Sequence, residues 1–223
     1  MNEHPNEPPE DQPPSDQQGA PEPRPPEGLV VEPLRQDSVG ARVPDRVAAG
    51  VFSSGVIVQD AADEFVIDFI QGMVRPPKVG ARVVLSANVV GQFVEALRAN
   101  LRKYEQQFGP PRAIPRPPPQ TPRPSIQDLY QDLRMSDEQL AGVYATTVMI
   151  SHSPAEFCFD FIARFFPAAV VAARVYMSAP QVPPVLEAMN SSVQRRQKRL
   201  AEGRPPAAPP PSQPSPPPQD GML

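Results

Sequence analysis

Glu64 to Ile70 reads EFVIDFI, an apolar run of strand length whose two acids, Glu64 and Asp68, fall on the same side of a two-residue period. Phe65, Ile67 and Phe69 therefore share one face of a strand, and Glu64, Val66, Asp68 and Ile70 the other. Upstream, Val51 to Gln59 is rich in β-branched and small residues and predicts a first strand, joined to the second by the turn residues of QDAAD. Downstream, Pro76 and Pro77 mark a loop before a third strand, Ala81 to Leu85, apolar on both faces apart from Arg82. Ser86 then stands where its hydroxyl can accept from the first free amides of a helix. From there Val90, Phe93, Val94, Leu97, Leu101, Tyr104 and Phe108 recur at three- and four-residue intervals, one apolar stripe that must bury against the sheet. Gly109 followed by Pro110 ends that helix.

The same pattern returns 92 residues later. Gly50 to Arg102 aligns with Gly142 to Gln194 without a gap: GVFSSGVIV with GVYATTVMI, EFVIDFI with EFCFDFI, ARVVLSA with ARVYMSA. Blocks in one order at one offset indicate a tandem duplication. The second copy predicts a strand over Val143 to Ser151, a turn at SHSPA, and a helix whose stripe is Val185, Leu186, Met189 and Val193. Pro180, Pro183 and Pro184 crowd its first turns and predict a late start or a distorted first turn. Between the copies, Ile126, Leu129, Leu133 and Leu140 have helical spacing and predict a short connecting helix that packs on the rest.

Composition subtracts from the folded length. Of 35 prolines among 223 residues, 11 fall in residues 1–47, 8 in 110–124 and 9 in 204–223. Tracts this dense forgo backbone donors and carry few large apolar side chains, which predicts disordered or polyproline-like segments. The resulting organisation is an acidic, proline-rich arm (1–47), a first repeat (48–109), a proline-rich linker (110–125), a connecting helix (126–140), a second repeat (141–203) and a proline-rich tail (204–223). Each repeat is near the lower size limit for a self-supporting core. A three-stranded sheet with one helix leaves its other face bare, and a second copy can cover that face or extend the sheet edge to edge. The expected fold is α+β: two tandem β-β-β-α repeats forming a pseudo-twofold internal dimer, in which fusion of the copies replaces a homodimer.

These blocks resemble the small bacterial and archaeal proteins of domain-of-unknown-function family 3467. GVFSSGVIV, DEFVIDFI, ARVVLSANVV and NLRKYEQQFG carry the resemblance over Gly50 to Gly109, and EFCFDFI and ARVYMS carry a weaker one in the second copy, where RRQKRLA replaces KYEQQFG. The resemblance implies fold and boundaries and transfers no active site.

Two carboxylates, Asp68 and Asp160, occupy equivalent positions and raise the thought of a shared-proton dyad. Both stand in mid-strand between phenylalanines, away from the glycine loops such dyads use. Cross-strand pairing, Asp68 with Arg82 and Asp160 with Arg174, is the simpler expectation. His4 and His152 are the two histidines and Cys158 the one cysteine. They form no set with metal-ligand spacing, and no phosphate-binding glycine loop is present. We therefore expect no enzyme, no metal and no cofactor. With a net charge of −4, only Gln194 to Arg199 is concentrated and basic. Its Arg195, Arg196, Lys198 and Arg199 predict a solvated helix end, and nucleic-acid binding is expected only as a remote reading. RPPPQTP, with Arg116, Pro119 and Pro122, fits the pattern read by aromatic grooves for polyproline helices, but in so proline-rich a chain such a match arises by chance and a flexible spacer is the simpler expectation. No apolar run reaches membrane-spanning length, the opening residues carry no secretory pattern, and the lone Cys158 suits a reducing compartment. The expectation is a cytoplasmic, non-enzymatic protein-binding or scaffolding module with an unknown protein partner. The alternatives are a SecB-like holdase for unfolded chains and a nucleic-acid-associated regulator.

Overall fold

The structure, a computed structural model, describes residues 40–115, 125–165 and 167–203. Residues 1–39 of the proline-rich arm, the tail and the candidate groove ligand Arg116, Pro119 and Pro122 lie outside the described residues, whereas 40–47, assigned to that arm, are described and hold a backbone bridge at Arg42 and the start of a short helix at Asp45. The first copy comprises α1 (Asp45–Ala48), β1 (Val51–Ser53), β2 (Gly55–Asp60), β3 (Glu64–Gln71), β4 (Lys78–Ser86) and α2 (Ala87–Phe108). After α3 (Ile126–Gln131) the order repeats: α4 (Asp137–Ala141), β5 (Val143–Ala145), β6 (Thr147–His152), β7 (Glu156–Phe165), β8 (Ala168–Ser178) and α5 (Val182–Ala201).

The expected first strand is broken in both copies, and the break defines the architecture. Ser54 interrupts the run Val51 to Gln59, and Thr146 does so in the second copy. At the break, Ser54 N donates to Ile70 O (2.8 Å) while its Oγ accepts from Gly72 N (2.9 Å). Thr146 repeats both bonds, with Ile162 O (2.8 Å) and Arg164 N (3.0 Å). The hydroxyl thus satisfies backbone that leaves the ladder, and the strand can change sheets there. Each short strand crosses to the other copy. One sheet has the order β2-β3-β4-β5, the other β1-β8-β7-β6. The exchanged strands pair in parallel at equivalent registers, Val51 opposite Val175 and Val143 opposite Val83. Each copy therefore contributes four strands rather than three, and the strand expected from Ala81, here β4, runs from Lys78.

Other bonds recur at the same offset. Arg42 exchanges backbone hydrogen bonds with Ala169 and Val171, and Arg134 does the same with Pro77 and Val79. In both sheets the register slips by one residue, between Phe69 and Ile70 and between Phe161 and Ile162, which leaves Gly80 and Ala172 as the extra bulge residues.

Alternation places Phe65, Ile67 and Phe69 of β3, and Phe157, Phe159 and Phe161 of β7, in one shared core. Phe69 and Phe161 meet with ring centroids 5.3 Å apart, and Phe93 of α2 stands edge-on to Phe159 and Phe161 at 5.6 Å. The expected stripe of α2 is buried from Val90 to Tyr104, while Phe108 reaches solvent. Each long helix crosses over as well: α2 packs on β6 and α5 on β2. Pro180 falls in a 3₁₀ turn, Ala179–Gln181, and Pro183 and Pro184 lie in the first turn of α5, which has no use for their missing amides.

The connecting segment differs from expectation. It forms two short helices, because Ser125 with Asp128 and Ser136 with Gln139 each build a capping box, and each box starts a helix of its own. The apolar stripe expected to pack is instead exposed at Ile126, Leu129 and Leu140, and Tyr130 is the side chain that turns inward.

Candidate functional site

Strand register sets Asp68 directly opposite Arg82 and Asp160 opposite Arg174, on the sheet faces turned away from the phenylalanines. Arg82 Nε and Nη2 donate to the two Asp68 carboxylate oxygens, each at 2.8 Å. Arg174 grips Asp160 with the same fork, at 2.7 and 2.8 Å. Asp68 is wholly buried (0% exposed). The fork satisfies both oxygens of a carboxylate that burial would otherwise leave without partners.

Around the two pairs the copies diverge. Tyr130 of α3 donates its hydroxyl to Asp68 Oδ2 and accepts from Gln59 Nε2 (2.6 Å). Loss of water, and then the bond to Asp68, raise the Tyr130 phenol above its usual range. Arg82 also reaches Leu140 O through Nη1 (3.3 Å). On the other sheet, Cys158 Sγ lies 3.9 Å from Asp160 Oδ1. Burial, then the neighbouring carboxylate, push that thiol up, so it is not an activated nucleophile. The hydrogen bond to Asp160 raises the Arg174 guanidinium in turn.

Each arginine belongs to its own copy by charge and to the other by packing. Gly50 (φ 64°) lies so close to Arg174 and Tyr176 that an added Cβ would stand 2.9 Å from Arg174 Cγ and 2.6 Å from Tyr176 Cε2. Gly142 (φ 68°) leaves the same 2.8 Å approach to Arg82 Cγ. Positive φ and close contact both require glycine here. The two Gly–Arg contacts flank a cavity of about 220 Å3 in which every lining residue has its counterpart 92 positions along.

The basic run corrects the expectation of a solvated helix end. Arg196 is buried: Nη1 donates to Asp60 Oδ1 and Ala61 O, each at 2.8 Å, and its guanidinium stands 5.6 Å from the Phe65 ring centre. Arg199 also pairs with Asp60, Arg195 donates to Ser192 Oγ, and Lys198 faces Glu202. The run thus clamps α5 onto the β2–β3 hairpin of the first copy. At the equivalent place Tyr104 of α2 donates to Pro154 O (2.7 Å) and packs against His152 and Phe157. Sequence reading missed Tyr130, Gln59 and Asp60, and it placed Tyr104 in the buried stripe of α2 without its bond to Pro154. The identity of Gly50 with Gly142 was the visible trace of the glycine contacts.

Among the described residues no group of three or more His, Cys, Asp or Glu could hold a metal ion, and no helix is long and apolar enough to cross a membrane. The site is a duplicated ion-pair latch in an α+β chain with two four-stranded sheets. The family described as "Protein of unknown function (DUF3467)" matches it twice, over residues 3–113 and 115–202, and the chain belongs to that family as a tandem duplication. The first match reaches back through the proline-rich arm and the second takes in the linker, so both are longer than the repeats delimited by periodicity. No curated protein and no solved structure matches the chain.

Proposed function

We propose that the protein is a non-enzymatic scaffold whose two copies form an internal counterpart of a homodimer, and that it binds a protein partner on the outer face of the β1-β8-β7-β6 sheet. The observation that carries this reading is the unequal cover of two equivalent faces. On the β2-β3-β4-β5 sheet, α3 reaches over Asp68 and Gln59 through Tyr130, and Ile57 beside them is half-buried. On the other sheet the equivalent of Ile57 is Met149, exposed at 48%, while Phe52 and its equivalent Tyr144 are exposed alike, at 41% and 44%. Phe52, Tyr176 and Cys158 form one cross-strand row on that face. A short amphipathic helix with an aromatic residue placed like Tyr130 is the partner chemistry such a face accommodates.

The two carboxylates add support to a non-catalytic role, since each has both oxygens held by its own arginine. Arg196 and Arg199, spent on Asp60, count against a nucleic-acid surface. The test is affinity purification with the full chain and with a Phe52→Glu, Met149→Glu variant shown by circular dichroism to be folded. The reading expects a partner retained by the natural chain and lost by the variant. Identical partner sets would contradict it, and suppression of aggregation by both proteins alike would favour a holdase.

A further inference from the structure

The cavity between the copies has a floor common to both and a rim that differs. Gly50 and Gly142, like Arg82 and Arg174, are identical across the offset. The floor arginines contribute little net charge, because each is held by its aspartate. At the rim, α1 packs on β8 and α4 on β4, and here the equivalent positions carry opposite charges, Arg46 and Glu138. Both side chains are exposed, and neither has an ion-pair partner among the described residues. The floor shares this polarity. Arg82 Nη1, on the Glu138 side, is occupied by Leu140 O, whereas Arg174 Nη1, on the Arg46 side, has no acceptor among the described residues.

A shared neutral floor with a free cation at one end and a free anion at the other selects a molecule carrying both charges. We propose that this cavity binds a small zwitterion of amino-acid or dipeptide size, its carboxylate between Arg46 and Arg174 Nη1 and its ammonium at Glu138. The volume of about 220 Å3 admits such a molecule. A homodimer with a true twofold axis would have to repeat the same charge at both rim positions. Duplication is what permits the cavity to become polar from end to end.

The test is isothermal titration of the full chain with glycine, γ-aminobutyrate and glycylglycine, and with acetate and methylammonium as single-charge controls. Saturable binding of at least one zwitterion at millimolar concentration is expected, with both controls much weaker. The length of the tightest one distinguishes a free amino acid from a peptide. Arg46→Ala and Glu138→Ala, both at exposed positions, should each weaken it about tenfold at unchanged melting temperature, as loss of a hydrogen bond between charged groups does. Arg46→Lys should retain most of the affinity. The proposal is overturned if no zwitterion binds, if acetate binds as tightly, or if both alanine variants bind like the natural chain.

Discussion

At the residue scale the two ion pairs are chemically alike but not energetically equal. Asp68 is fully buried beneath Tyr130, so removing its charge strands the Arg82 fork and the phenol together, whereas the Asp160–Arg174 pair retains some contact with water. Asp68→Asn is expected to cost about 3 kcal/mol of unfolding free energy and Asp160→Asn about half of that. Urea denaturation of the two variants measures the difference, and equal losses would count against the role given to Tyr130. The phenol itself sets an alkaline limit. Its folded-state pKa is raised, so an unfolded chain releases the proton first, near the ordinary value of 10.0, while the folded chain still holds it. Its contribution is complete below pH 10 and declines as pH rises beyond. The natural chain should therefore lose stability more steeply above pH 10 than Tyr130→Phe, in paired urea titrations.

At the scale of elements, strand and helix identities were legible wherever a local period decides them. The two-residue period of Glu64 to Ile70, the stripe of α2 and the cap at Ser86 depend on neighbours a few residues away. The exchange of β1 and β5 was not legible, because a β-rich run states that it will pair and not with which sheet. Its one local sign is a hydroxyl residue at the break in each copy, Ser54 and its counterpart Thr146. The ion pairs could be read because Asp68 and Arg82 lie on neighbouring strands of one copy. The Tyr130 lid could not, because Tyr130 lies off the apolar stripe of α3 and meets Asp68 only across the fold. The basic run of α5 misled for a related reason: a cationic helix end looks solvated until the acid it meets, 136 residues away, is known. Arg196→Ala should cost about 2 kcal/mol, through lost packing on Phe65 and an orphaned Ala61 carbonyl. Arg195→Ala, one position away and outward, should stay within about 0.5 kcal/mol, and thermal melts of the two separate a clamp from a merely solvated face.

At the scale of the molecule, each copy depends on the other three times. Its sheet is completed by the other's short strand, its arginine is covered by the other's glycine, and its hairpin is clamped by the other's long helix. A unit tied in this way has no independent half to unfold first. Native-state hydrogen exchange in graded denaturant, followed in peptides from β3 and from β7, addresses this most directly. The account predicts that both strands exchange through a single opening with the same free energy and the same denaturant dependence. If β7 opened at a distinctly lower free energy while β3 stayed protected, or the reverse, the two copies would be neighbouring domains and the reciprocal exchange would not be what holds the molecule together.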